Sequence, residues 1–192
     1  MTGHVPANLL LTGRPGVGKS TVIQRALEGV SVRAGGFFTQ ELREGGAVAV
    51  GSDRLRSPGG RRVGFGITTL DGREGVLAHV NIKGPPRVSK YGVNVDDIRE
   101  VVVGALARAL QDAELIVCDE MARMELLCRE FAPMVRRCLD AETPVLGTIQ
   151  ERRDDFLDAV RARPDVRLLE ITAASRQDLA DEVAAWIEAT CR

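Results

Sequence analysis

The stretch Gly13-Arg-Pro-Gly-Val-Gly-Lys-Ser20 constrains this chain more than any other. It fits G-x-x-x-x-G-K-[ST], a spacing that carries meaning where a strand runs into a turn and the turn into a helix. Both conditions are met. Asn8 to Thr12 is a short apolar run ended by glycine, suited to a strand buried on both faces of a parallel sheet, and a helix is predicted from Lys19 to Leu27. The glycines let the backbone curl so that successive N–H groups point inward, and the helix N-terminus adds partial positive charge, giving a nest for α- and β-phosphates. The candidate nucleotide contacts are Gly13, Arg14, Pro15, Gly16, Val17, Gly18, Lys19 and Ser20, with Thr21 next in the helix. Lys19 would reach the β- and γ-oxygens, and the Ser20 hydroxyl would ligate Mg²⁺. A glycine-rich turn that meets the pattern by chance is the competing account. Against it, the 26 basic residues include only three lysines, Lys19, Lys83 and Lys90, so an arginine-using chain keeps a compact point charge at the phosphates.

A second feature completes the chemistry. Leu115-Ile-Val-Cys-Asp-Glu120 is an apolar strand ending in two carboxylates, and strand ends of an open parallel sheet line the crevice where ligands bind. Asp119 is expected in the Mg²⁺ shell, and Glu120 is placed to orient and deprotonate a water attacking the γ-phosphorus. The plain alternative is an exposed acidic turn. With the phosphate loop upstream, the adjacent acids favour hydrolysis over a passive switch.

The remaining pattern is alternating. Phe37 to Glu41, Ala47 to Ser52, Arg62 to Thr69 and Val76 to Val80 read as short β pieces between glycine-rich turns, an antiparallel insertion around residues 36–80. Val95 to Gln111 carries a helical apolar stripe capped by Asn94 or Asp96. Helices at Phe131 to Leu139, Asp154 to Arg163 and Gln177 to Thr190 alternate with strands at Leu115 to Cys118, Val145 to Ile149 and Arg167 to Ile171. The expectation is an α/β fold with a mainly parallel sheet covered by helices on both faces, three layers in one domain over residues 1–192.

Composition narrows the partners. Lys+Arg 26 against Asp+Glu 27 gives no general electrostatic reason to expect nucleic acid or an anionic membrane. No segment approaches the roughly 18 apolar residues of a membrane span, and no signal-type leader precedes the first strand, so a soluble cytoplasmic protein is expected. Cys118, Cys128, Cys138 and Cys191 lack zinc or disulfide spacing and read as reduced, mostly buried thiols.

The chain resembles the THEP1-type nucleoside-triphosphatases, also described as cancer-related nucleoside-triphosphatases. The resemblance spans nearly the whole chain. It rests on the loop Gly13 to Ser20, on Gly36-Phe-Phe-Thr-Gln-Glu-Leu-Arg43, Arg62-Val-Gly-Phe65, Lys90-Tyr-Gly-Val-Asn94 and Asp119-Glu-Met-Ala-Arg-Met-Glu-Leu126. It implies a P-loop NTPase fold akin to the RecA-like ATPases and Mg²⁺-dependent hydrolysis of several nucleoside triphosphates, ATP, GTP, CTP and UTP, to diphosphate and phosphate. Lys19, Ser20, Asp119 and Glu120 then carry the roles given above. The chain departs from the family pattern at Ala122 and Arg123, where glycine and lysine are usual, and at Ser175 before Arg176, where asparagine is usual.

Weaker candidates surround this core. Thr148, at a strand end beside the acidic strand, could sense the γ-phosphate or be a satisfied hydroxyl. Arg176 could contact base, ribose or phosphate, or be a solvated arginine. Lys90 with Tyr91 could make a nucleotide or loop-closing contact, Glu125 could support the acidic pair, and Arg123 could stabilise transition-state charge, each against a surface reading. Phe37, Phe38 and Phe65 read as core of the insertion rather than a base platform, and His4 and His79 receive no catalytic role. A small nucleotide or nucleoside kinase is the alternative enzyme, although no arginine-rich lid is evident and Arg152-Arg153 is left open as part of one. A GTP switch would show N-K-x-D and D-x-x-G, which the sequence lacks. A nucleic-acid-associated ATPase is the remaining class, and the near-neutral charge argues against it.

Overall fold

The computed structural model describes residues 7–44, 60–172 and 174–191. Among them a single nine-stranded sheet organises the chain, in the order β5-β6-β4-β3-β2-β7-β8-β1-β9. Its parallel part comprises β1 (Asn8–Thr12), β2 (Ala34–Arg43), β7 (Leu115–Met121), β8 (Val145–Ile149) and β9 (Val166–Glu170). Neighbours within this part all pair parallel, and β8 lies between β1 and β7.

The run Asn8 to Thr12 forms the strand its composition suggests because both faces are covered. Leu9, Leu10 and Leu11 are each 0% exposed. Leu10 enters one core with Phe131, Met134 and Val135 of α4 (Phe131–Leu139) and Phe156, Leu157 and Val160 of α5 (Asp155–Arg161). Leu9 and Leu11 enter the other, with Val22, Ile23 and Ala26 of α1 (Lys19–Glu28) and Val183, Trp186 and Ile187 of α6 (Arg176–Thr190). Each fully buried leucine contributes roughly 1.5–3 kcal/mol, so both helical layers hold this strand, and with it the loop that follows.

The antiparallel insertion extends the same sheet as a wing. β2 pairs parallel with β7 from Ala34 to Phe38 and antiparallel with β3 (Arg62–Thr69) from Phe37 to Arg43. The wing continues through β4 (Glu74–His79), β6 (Tyr91–Val93) and β5 (Arg87–Val88). The last two were not expected, because two- and three-residue strands leave no alternation to read. The piece expected at Ala47 to Ser52 lies outside the described residues. Of the aromatic side chains, Phe37 packs edge-on against Phe131 across 6.4 Å, so it belongs to the main core rather than to the wing, whereas Phe65 meets Tyr91 at 5.3 Å within the wing.

The long helical stripe also differs in detail. α2 (Val95–Asp97) passes through a π-helical segment, Ile98–Val103, into α3 (Gly104–Asp112). Asn94 is the cap, its side chain accepting from the Asp97 N–H at 3.2 Å, and the Asp97 carboxylate in turn accepts from Val76 N–H at 2.7 Å. Asp97 therefore faces β4 rather than solvent. Among the described residues no helix is long and apolar enough to cross a membrane.

Gly36 marks the place where β2 meets β7. It holds φ +120°, and a Cβ there would sit 2.0 Å from the Val117 carbonyl oxygen. Gly36→Ala should cost at least about 2 kcal/mol, since both backbone strain and a backbone clash oppose it. Urea unfolding of parent and variant checks this; equal midpoints would contradict it.

Candidate active site

The loop after β1 lies at the C-terminal edge of the parallel strands and turns directly into α1. Gly13 and Gly18 take φ +144° and +108°, and a Cβ on Gly13 would meet the Ile171 carbonyl at 2.6 Å. Arg14, Pro15 and Gly16 are exposed at the crest, Val17, Gly18, Ser20 and Thr21 are half-buried, and Lys19 is only 9% exposed. The loop folds back on its own lysine: Lys19 Nζ donates to the Gly13 carbonyl at 3.0 Å. Its other near partner is Glu120 Oε1 at 3.3 Å. Lysine has three donors, so the ammonium can hold loop and acid and still reach a phosphate oxygen.

The acids are delivered by a bulge. Opposite β8, Cys118 pairs with Gly147 and Met121 with Ile149, so β7 advances one residue more than its neighbour, and the strand continues through the acids instead of ending at Cys118. Bulges re-aim side chains next to active sites. The Asp119–Glu120 peptide is cis. Asp119 is 1% exposed, whereas Glu120 keeps 28% exposure of its side chain beside the lysine.

Thr148 supplies the link between strands. It is 0% exposed and its hydroxyl donates to Asp119 Oδ1 at 2.6 Å, so it positions the acid and is the satisfied strand-end hydroxyl of the two readings. The second oxygen of Asp119, Oδ2, is buried with no hydrogen-bond partner. Burial pushes the Asp119 carboxyl up to about 6; the Thr148 and Ser20 side chains pull it down, the Glu120 charge raises it and the Lys19 charge lowers it. Ser20 is thereby placed close to Asp119, as a shared metal shell requires. An orphaned carboxylate oxygen beside a serine hydroxyl fits a hard, oxygen-seeking divalent ion such as Mg²⁺.

Glu125 is the residue that the sequence understated. It opens a short 3₁₀ turn, Glu125–Leu127, and is 2% exposed. Burial pushes its carboxyl up to about 8, with the Glu120 and Asp119 charges adding to the shift and backbone N–H groups of Glu125 and Ala122 opposing it. The signal was present, since an acid stands between Met121, Met124, Leu126 and Leu127.

Among the described side chains, none of the other candidates bonds to the loop. Lys90 donates to the Arg62 carbonyl at 3.2 Å and lies over the Tyr91 ring at 5.2 Å, in the wing, six strands from β1 in the sheet. Arg123 is exposed, and its backbone N–H donates to Gln150 Oε1 at 3.3 Å. Arg153 pairs with Asp158 at 3.6 Å, and the Arg152 carbonyl accepts from Arg161. Arg176 opens α6, but its side chain lies outside what the structure describes, and so does His4. His79 Nδ1 accepts from Asn81 N–H in the wing. All four cysteines are free, three of them buried.

A lysine at the head of α1 reaching across β8 to an acid on β7 places the chain among the P-loop nucleotide-hydrolysing proteins. It belongs to the NTPase family, whose model matches residues 8–184. The chain is 41% identical over 175 residues to the nucleoside-triphosphatase THEP1 of Thermotoga maritima, covering 91% of this chain and 92% of that protein. It is 40% identical over 183 residues to the nucleoside-triphosphatase THEP1 of Thermofilum pendens, covering 92% and 93%. The crystal structure of THEP1 from the hyperthermophile Aquifex aeolicus matches with a TM-score of 0.80 at 28% identity, over 94% of this chain and 99% of that one. The solution structure of a human cancer-related nucleoside triphosphatase matches with a TM-score of 0.75 at 30% identity, over 95% and 98%.

The buried acids set a pH dependence. A glutamate that keeps its proton to about pH 8 when folded, against 4.5 as its ordinary value, stabilises the fold fully below 4.5, and that contribution is lost as pH rises through 8. Glu125→Gln removes the titration. Without nucleotide and with chelator present, the melting temperature of Glu125→Gln relative to the parent should rise by about 10 °C between pH 5 and pH 9. Thermal unfolding across that range checks it, and a pH-independent difference would count against it.

Proposed function

We propose that this nucleoside-triphosphatase hydrolyses nucleoside 5′-triphosphates, ATP, GTP, CTP and UTP among them, to diphosphate and phosphate with Mg²⁺. The loop Gly13 to Ser20 holds the α- and β-phosphates through its backbone amides. Lys19 spans the β- and γ-oxygens and offsets charge that develops on the bridging oxygen as the bond to the γ-phosphorus breaks. Ser20 and Asp119 would hold the metal, which supplies charge neutralisation on the β- and γ-oxygens when bound.

Glu120 acts on the water. It takes one proton as the water oxygen bonds to phosphorus, and the diphosphate leaves with the bond electrons. Its exposure of 28% leaves it open to a water. Lys19 at 3.3 Å fixes its direction. Asp119 has neither freedom, being held by Thr148 and enclosed. The division of labour between adjacent acids thus follows from one being enclosed and the other open. The observation that carries the reading is the Lys19–Glu120 pair, which puts the phosphate-gripping cation and the water-activating acid within one contact of each other.

Phosphate release with water as the only acceptor, measured over the common nucleoside triphosphates, tests the proposal and separates it from a kinase. Glu120→Gln should still bind nucleotide and turn over at least about 10²-fold more slowly, whereas Lys19→Ala should lose nucleotide binding. Unchanged turnover in Glu120→Gln would remove Glu120 from the mechanism.

A further inference from the structure

Among the described residues, three buried side-chain polar atoms have no hydrogen-bond partner: Arg108 Nη2, Asp119 Oδ2 and Glu125 Oε2. Two of the three are carboxylate oxygens of the same acidic neighbourhood. A buried acceptor left unmatched costs about 1–3 kcal/mol, and more when charged, so a pair of them in one place marks a site built around something positive or hydrogen-donating. Asp119 Oδ2 has an evident role beside Ser20. Glu125 has none in the chemistry described above.

Glu125 is fixed in place. It is 2% exposed and opens the 3₁₀ turn, whose end is closed by the Cys128 N–H donating to the Glu125 carbonyl at 3.0 Å. The same segment is tied to the residue that follows β7 by the Leu126 N–H to the Ala122 carbonyl at 3.2 Å. A side chain that needed only to fill space here would be apolar, as Met121 and Leu157 are in the same core region. Its 3₁₀ turn packs against β7, the strand that carries Asp119 and Glu120, and the charges of both acids act on its carboxyl.

Direct ligation does not fit. Among the described residues no three acidic, histidine or cysteine side chains are grouped closely enough to hold a metal between them. Mg²⁺, however, retains several waters and is commonly held by only one or two carboxylates with substrate phosphates. Each retained water has hydrogens to donate, and outer carboxylates that receive them set metal affinity.

We propose that Glu125 is a positioning residue of the metal site, its Oε2 accepting a hydrogen bond from a Mg²⁺-bound water while Asp119 and Ser20 ligate the ion. The proposal rests on the Mg²⁺ reading of the site, in which the charge of the bound ion drives to solvent the proton that Glu125 holds in its absence. Glu125 touches neither nucleotide nor attacking water, and it acts through the orientation of the metal's hydration shell.

The test is binding of a fluorescent nucleoside diphosphate titrated with Mg²⁺, for the parent, Glu125→Gln, Glu125→Asp and Asp119→Asn. In chelator, Glu125→Gln should bind the nucleotide as the parent does, and its half-saturating Mg²⁺ should rise 10–100-fold. Glu125→Asp, which keeps the acid, should recover part of that loss. A role in packing alone would instead weaken nucleotide binding in chelator and leave the Mg²⁺ midpoint in place, which would overturn the proposal. Should Asp119→Asn raise the Mg²⁺ midpoint while Glu125→Gln and Glu125→Asp both leave it unchanged, the Glu125 assignment falls and the metal site stands. No change in Asp119→Asn would overturn the metal reading and the proposal with it.

Discussion

Asp119 is anchored by the Thr148 hydroxyl in a region neither residue shares with solvent, and that bond ties the acidic strand to its neighbour where the site begins. Threonine reaches the acid because β8 runs between β1 and β7. That order, in turn, depends on strands covered on both faces, since Val145, Leu146, Val117 and Leu115 are all fully buried. Apolar layers on two sides exclude water from the strands and force the polar chemistry to the strand ends, where the sheet stops and the loop begins.

Local chemistry explains why so much of this was legible. The glycine spacing of the loop has few uses besides curling a backbone around phosphate, and the short apolar runs at Leu9 to Leu11 and Leu115 to Cys118, bounded by turn or acidic residues, read as strands with two covered faces. Helix positions followed from apolar periodicity, and the start of the stripe offered two caps, Asn94 and Asp96, of which Asn94 serves. Lys19 and Glu120 were named from motif alone, and they stand in contact. The fold's parallel core was therefore readable from segments that each carry their own signal.

What escaped the sequence is long-range. The wing joins the main sheet through β2, and no local pattern says that one strand will be parallel to β7 on one side and antiparallel to β3 on the other. The bulge that carries β7 through Asp119 and Glu120 depends on the length of β8 opposite, which is set 25 residues or more downstream. Thr148 had two readings until its partner was visible, and Glu125 likewise stood between support of the acidic pair and a surface charge, because exposure is a property of packing. Lys90 drew attention by its rarity in an arginine-rich chain and proved to belong to the wing, where it covers Tyr91.

The shared strand has a mechanical consequence. At Phe37 and Phe38 the backbone is paired to β7 on one edge and to β3 on the other, so the junction has hydrogen-bonded partners along both sides. A lid needs a few residues whose torsions can change at little cost, and a stretch clamped in this way offers no such pivot. The wing and the acidic strand consequently transmit displacement as one stiff plate: a push at the distal edge of β3 arrives at Asp119 as a tilt of the sheet, not as the swing of a door.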